Sequence, residues 1–152
     1  MTADSPDLAA IAADVFLPHA PDQVWRALTD PDVLARWLMP NDFKPVVGHK
    51  FTFRARPVPA AKFSGTIACE VLELRPAELL VISWRDAGEG NDLDTTVTWR
   101  LEPEGRGTRL FLLHDGFDPD HPLERLARSA MANGWAIRIL PALAAVLEDA
   151  AP

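Results

Sequence analysis

Residues 96–114, TVTWRLEPEGRGTRLFLLH, contain the clearest strand pattern of the chain. Val97, Trp99 and Leu101 fall on one side of an extended chain, because side chains alternate between the two faces of a strand. Threonine and charged residues occupy the positions between them. The glycines of the segment EGRG mark a turn, after which the alternation resumes. The pattern predicts two strands of an antiparallel hairpin, with one face buried and the other in water.

The same period of two extends outward over residues 50–114, with breaks at residues 56–60, 75–78, 87–92 and 103–107. Five strands in a meander are therefore predicted. A further strand is predicted around Ala13, Val15 and Leu17, ahead of this region. If the parity of the hairpin holds, His114 points toward the buried face together with Leu112. His114 is thus the histidine expected to lie inside the domain.

Helices are predicted on both sides of the strand-rich region. A short helix begins near Pro21, and a second begins at Pro31 with Asp30 as its N-cap. After Pro122 the chain runs to its C-terminus with apolar residues at helical spacing, which predicts one long helix. Pro141 should bend this helix, because proline cannot donate the backbone hydrogen bond to Ile137. This order of elements indicates an α+β fold with about six strands.

Composition limits the classes of function. The chain has 152 residues, 48% of them hydrophobic, a formal charge of -7 and a pI near 5.0. These values predict a single domain over residues 11–152, after a flexible tail over residues 1–10, and argue against nucleic acid or an anionic membrane as a partner. The single cysteine and the absence of an apolar run near the N-terminus favour a reducing, cytoplasmic location without membrane insertion.

Five segments resemble one family when they are read in order. They are APDQVWRALTDPDVLARWLMP (20–40), VGHKFTF (47–53), VLELRPAELLVISW (71–84), VTWRLEPEGRGTRLFLLHDGF (97–117) and NGWAIRILPALAAVLE (133–148). Together they resemble the homologues of the activator of the ninety-kilodalton heat-shock protein ATPase, in its C-terminal part. The resemblance covers residues 12–148. It implies the helix-grip fold of START-like domains and the birch-pollen allergen, in which a curved antiparallel sheet wraps around a long C-terminal helix.

That resemblance implies a cavity between the sheet and the helix, and often a hydrophobic ligand. We therefore expect a small apolar or amphipathic molecule as the partner. Two alternatives stay open. One is an enzyme of the polyketide cyclase kind that uses the same cavity, with His114 and Arg54 as polarising groups. The other is a stress-related co-chaperone or protein-interaction module, although we expect a stand-alone domain without the extra N-terminal domain of the eukaryotic co-chaperone.

The cavity is expected to be lined by aromatic and aliphatic side chains from the sheet and the helices. For each tryptophan, ordinary core packing is the alternative. For His114, the alternative is a histidine whose hydrogen bonds are satisfied inside the core. The predicted lining residues are Trp37, Phe53, Ile82, Trp84, Trp99, Leu112, His114, Met131, Trp135 and Ile139.

No assembled catalytic group, metal site or cofactor motif is predicted. Asp115 follows His114 directly, and adjacent strand residues point to opposite faces, so the two are not expected to form a dyad. The segment around His121 fits the start of a helix better than a metal site. Phe111 and Leu113 fall on the outer face, where exposed apolar residues often mark an association surface. They support the hypothesis of a homodimer; packing under the N-terminal tail is the alternative.

Overall fold

The strands form one antiparallel sheet. The computed structural model describes residues 9–88 and 93–150. Within them, β1 Ala10–Leu17 pairs with the last strand, and the remaining strands follow as a meander, in the order β1-β6-β5-β4-β3-β2. The five-strand meander is confirmed, and the first strand begins at Ala10, before the predicted run. The other strands are β2 Lys50–Arg54, β3 Thr66–Arg75, β4 Leu79–Asp86, β5 Asp94–Glu104 and β6 Gly107–Asp115.

Short helices follow the first strand, as the sequence predicts. They are α1 Pro21–Thr29 and α2 Pro31–Trp37. Asp30 caps α2, because its Oδ1 accepts a hydrogen bond of 2.9 Å from the backbone N–H of Asp32. A 3-10 turn, Pro59–Ala61, lies between β2 and β3. The C-terminal helical span consists of α3 Pro122–Asn133, a π-helical segment Gly134–Ile139 and α4 Leu140–Ala150. The α+β helix-grip fold class is therefore confirmed.

The alternation of the hairpin is confirmed by the register of β5 and β6. Val97 lies opposite His114, and Trp99 lies opposite Leu112. All four side chains are buried, whereas Leu113 on the other face is exposed. We call the face that carries His114 the inner face of the sheet and the opposite one the outer face. The structure does not describe residues 1–8, where most of the predicted tail lies.

The two halves of the C-terminal helical span contact the sheet very differently. The buried side chain of α3 is Glu124, and its other residues are half-buried or exposed. In α4 the side chains of Leu140, Leu143, Val146 and Leu147 are buried in the core. The helix is therefore held mainly by its C-terminal half, while α3 lies loosely over the fold.

The π-helical segment lies where the sequence predicts an irregularity. It ends two residues before Pro141, which has no N–H to donate to Ile137. A π-helical turn inside an α-helix is rare and often lies at a functional site. Here it carries Trp135, the buried aromatic residue of the helical span.

By length and composition alone, the helical span 122–149 could cross a membrane, with a mean hydropathy of 1.5 in its most apolar window and 28% of that window buried. The core helix of a water-soluble domain meets the same criterion. Its buried residues Trp135, Leu143 and Leu147 pack in the core, as expected for a helix that covers a sheet.

Candidate functional site

Aromatic side chains fill the space between the inner face and the helical span. The ring of Trp135 lies 5.8 Å from Trp84, 6.1 Å from Trp99 and 6.2 Å from His114, measured between ring centroids. Phe53 on β2 joins the group through Trp84, at 5.5 Å. We call these five residues the aromatic cluster. They come from β2, β4, β5, β6 and the π-helical segment, so the cluster joins the sheet to the helix.

His114 makes a hydrogen bond with each of its ring nitrogens. The indole Nε1–H of Trp135 donates to His114 Nδ1 at 3.2 Å. On the other side, His114 Nε2 lies 2.8 Å from Thr95 Oγ1, and the Thr95 hydroxyl donates to the backbone oxygen of Trp84 at 2.7 Å. Because Thr95 uses its proton on that oxygen, its Oγ1 accepts from Nε2–H. This chain of bonds assigns the neutral Nε2–H tautomer to His114.

Burial keeps this histidine uncharged. His114 is fully buried, and desolvation lowers its pKa from 6.5 to about 3. An imidazolium would also have a proton on Nδ1, which could then no longer accept from Trp135. The hydrogen-bond geometry and the low pKa therefore agree. With both nitrogens engaged, His114 serves as a structural link between sheet and helix and is not free to transfer a proton to a ligand.

Two tryptophans of the cluster have unused hydrogen-bond donors. Trp84 Nε1 and Trp99 Nε1 are buried and have no partner among residues 9–88 and 93–150. Trp135 and Trp37, in contrast, each donate their indole N–H, to His114 and to the backbone oxygen of Ala27. The site therefore combines an apolar surface with two free N–H donors.

Five of the predicted lining residues form the aromatic cluster, and the other five lie beside it or away from it. Ile82 and Leu112 are buried on the inner face beside the cluster, and Met131 and Ile139 are half-buried against the same core. Trp37 is buried at the junction of α1 and α2, and its ring takes part in none of the ring contacts that connect the cluster. Arg54, considered as a polarising group, is exposed.

Thr95 is the residue of this site that the sequence analysis missed. The strand predicted from the sequence begins at Thr96, one residue after Thr95, whereas β5 begins at Asp94. Its signal was present in the sequence, since Thr95 continues the parity of Val97 and Trp99 and is thus a polar residue on the buried side. Such a residue needs a hydrogen-bond partner, and His114 is that partner.

Two grooves formed by the described residues lie on the outer face rather than beneath the helix. One, of about 330 Å³, is lined by residues of β1, β5 and β6, including Arg100, Phe111 and Leu113. The other, of about 400 Å³, runs across β2, β3 and β4 beside Lys50 and Ser83. The rings of the aromatic cluster lie between the sheet and the helix, where the sequence predicts the cavity.

The cluster contains no ionised side chain and no set of metal ligands. Its single titratable member, His114, is neutral. Over residues 9–88 and 93–150, no three His, Cys, Asp or Glu residues form a group that could hold a metal ion. The buried thiol of Cys69 has a raised pKa, chiefly from desolvation, which keeps it protonated and unreactive. The chemistry that the cluster offers is apolar contact and hydrogen-bond donation.

The sequence places the chain in a known family. The family described as activator of Hsp90 ATPase homolog 1-like protein matches residues 18–148. The chain belongs to this family. The resemblance inferred from the five segments is thereby confirmed, and no curated protein sequence matches the chain.

Solved structures show the same fold. Protein MLL2253 from Mesorhizobium loti is 33% identical, with a TM-score of 0.82 over 94% of this chain and 99% of that one. CalU16 from Micromonospora echinospora is 25% identical, with a TM-score of 0.72 over 91% and 75%. A third structure, of the Aha1 dimer from Colwellia psychrerythraea, is 22% identical, with a TM-score of 0.73 over 91% and 96%. This last likeness supports the fold alone.

The low pKa of His114 makes a prediction about stability. In the unfolded chain the imidazole becomes protonated below pH 6.5, whereas in the folded protein it stays neutral down to about pH 3. The stability that His114 contributes is thus present above pH 6.5 and is lost as the pH falls. We expect the difference in unfolding free energy between wild type and His114→Gln to shrink by about 2 kcal/mol from about pH 7 to pH 5.

Urea denaturation of both proteins at each pH measures this difference. The contributions of other titrating groups to the unfolding free energy are the same in both proteins and cancel. A difference that stays constant or grows over this range would contradict a neutral buried His114.

Proposed function

We propose that the protein binds a small apolar or amphipathic molecule between the inner face of the sheet and the helical span, in the cytoplasm. The observation that carries this proposal is the aromatic cluster. The indole of Trp135 in the π-helical segment contacts the indoles of Trp84 and Trp99 on two neighbouring strands, and those two have free donors. A mostly apolar site with few polar groups is typical of small-molecule binding. Membership of a family with polyketide-cyclase-like and START-like relatives supports the same role.

The ligand would enter beneath α3. This helix buries the side chain of Glu124, and it is tied to β1 by Arg128, whose Nε donates to the backbone oxygen of Ala10 at 2.9 Å. Helices with few buried contacts open at low free-energy cost. Because α4 is firmly packed, the π-helical segment between the two would be the point about which α3 moves. Trp135, Met131 and Ile139 would then line the opened space.

The enzyme alternative receives less support. A cyclase-like mechanism needs a polarising group at the ligand, but both ring nitrogens of His114 are engaged and Arg54 is exposed. The co-chaperone alternative rests on the family description, and a surface rather than the aromatic cluster would have to carry it. Binding of a small molecule therefore remains the first proposal.

The five indole N–H signals in a nitrogen-15 NMR spectrum test the proposal. Diphenylmethane and benzophenone serve as apolar probes, and each signal is assigned with a Trp→Phe variant. We expect the probes to shift the signals of Trp84, Trp99 and Trp135, because these rings would contact a molecule bound under α3. Trp25 and Trp37 lie outside the cluster, so they serve as internal controls. If no cluster signal moves at saturating probe, the proposal fails.

We further propose that the outer face forms a homodimer through Phe111 and Leu113. Leu113 is 39% exposed, and Phe111 beside it is half-buried under the guanidinium of Arg100, which lies 4.5 Å from the ring centroid. Both residues line the groove on β1, β5 and β6. Burial of such a patch by a second copy would remove it from water. The Colwellia structure is described as a dimer, which gives the fold a precedent for self-association.

Sedimentation of two matched variants tests the dimer. Phe111→Glu places a charge in the proposed interface and should convert a wild-type dimer to a monomer. Leu72→Glu alters a leucine on β3 that is 45% exposed, away from the proposed interface, and should leave the dimer intact. A monomeric wild type, or a Phe111→Glu protein that sediments as a dimer, would refute the proposed interface.

A further inference from the structure

We infer that the ligand of this site carries a neutral hydrogen-bond acceptor, such as a ketone, ester or ether oxygen, which accepts from the indole N–H of Trp84 or Trp99. The inference rests on the proposed function and deepens it, because it names the chemical class that the site selects. The buried tryptophans differ in whether the indole N–H has a hydrogen-bond partner.

Trp84 and Trp99 differ from the other buried tryptophans in what their nitrogens contact. Their side chains are 3% and 1% exposed, and neither Nε1 has a hydrogen-bond partner among the described residues. Trp37 and Trp135 are buried to a similar extent, yet both donate their N–H within the fold. Leaving a donor unpaired in a core costs about 1–3 kcal/mol. Two unpaired N–H donors on the same face of the sheet therefore require an explanation.

The two tryptophans with free donors both contact Trp135 but lie at different points along the sheet. Trp84 is on β4 and Trp99 on β5, and both rings contact the ring of Trp135. Trp84 pairs with Thr95, which lies four residues before Trp99 on β5. At the usual rise of a strand, the backbone positions of Trp84 and Trp99 are therefore about 13 Å apart along the strand direction. Each donor therefore marks its own anchoring point in the space that would open when α3 moves. A ligand with one acceptor would use one of them, and an elongated ligand with two acceptors could use both.

The chemistry of the surroundings specifies what kind of polar group fits. An indole N–H donates and cannot accept, so it recognises acceptors only. His114, the titratable member of the cluster, is neutral and has both nitrogens engaged. A charged ligand group would be buried there without an opposite charge, which is strongly unfavourable. The site therefore favours a neutral acceptor over a carboxylate, a phosphate or an amine.

Benzophenone and diphenylmethane form a matched pair for the test, since they share two phenyl rings and differ at the carbonyl. A hydrogen bond contributes about 0.5–1.5 kcal/mol, so wild type should bind benzophenone about 2- to 12-fold more tightly than diphenylmethane. The ratio of the two dissociation constants, measured by quenching of tryptophan fluorescence, is the readout. Either Trp84→Phe or Trp99→Phe should reduce the ratio to about one, and Trp25→Phe should preserve it.

A second readout uses only the wild-type protein. Benzophenone, but not diphenylmethane, should move the indole proton signal of Trp84 or Trp99 downfield, as expected when an N–H gains an acceptor. If neither probe binds, the proposed function itself fails. If both probes bind with equal affinity and neither indole proton moves downfield, the site binds apolar molecules without reading an acceptor, and this inference alone is overturned.

Discussion

The hydrogen bond from Trp135 Nε1–H to His114 Nδ1, 3.2 Å long, joins the helical span to the sheet at a buried point. The rest of the site depends on it. This hydrogen bond requires a neutral His114, and burial keeps the ring neutral. It also requires the proton to lie on Nε2, which donates it to Thr95 Oγ1. The link runs through to the backbone of β4, so that helix and three strands share one chain of hydrogen bonds. Such fully satisfied networks favour one arrangement of a core.

This link divides the C-terminal helical span into two parts with different properties. Beyond Trp135, α4 is packed firmly through Leu143 and its apolar neighbours. Before Trp135, α3 lies over the fold with little buried surface. Met131 and Ala132 of the loose half are packed against the core at partly buried positions, and the firm half would keep the fold intact if α3 moved. Under the proposed function, α3 would close over an apolar ligand, and no permanently open cavity would be needed.

The sequence predicted the fold and the direction of most core side chains. The period of two in residues 96–114 was sufficient to place His114 inside, because register fixes the face of every residue in a paired strand. It could not show that His114 is engaged on both sides, since that depends on Thr95 and on the π-helical position of Trp135. It also could not reveal the free donors of Trp84 and Trp99, because the rotamer of each ring decides where its nitrogen lies. Trp37 shares their burial but donates to a backbone oxygen.

Nitrogen-15 NMR of the imidazole measures the tautomer and charge of the His114 ring, and so tests the hydrogen bond between helix and sheet. We expect a neutral ring at pH 5, protonated on Nε2, with Nδ1 accepting from the indole of Trp135. A ring that is positively charged at pH 5, or that is protonated on Nδ1 instead, would contradict it, because neither form can accept the hydrogen bond that joins helix to sheet.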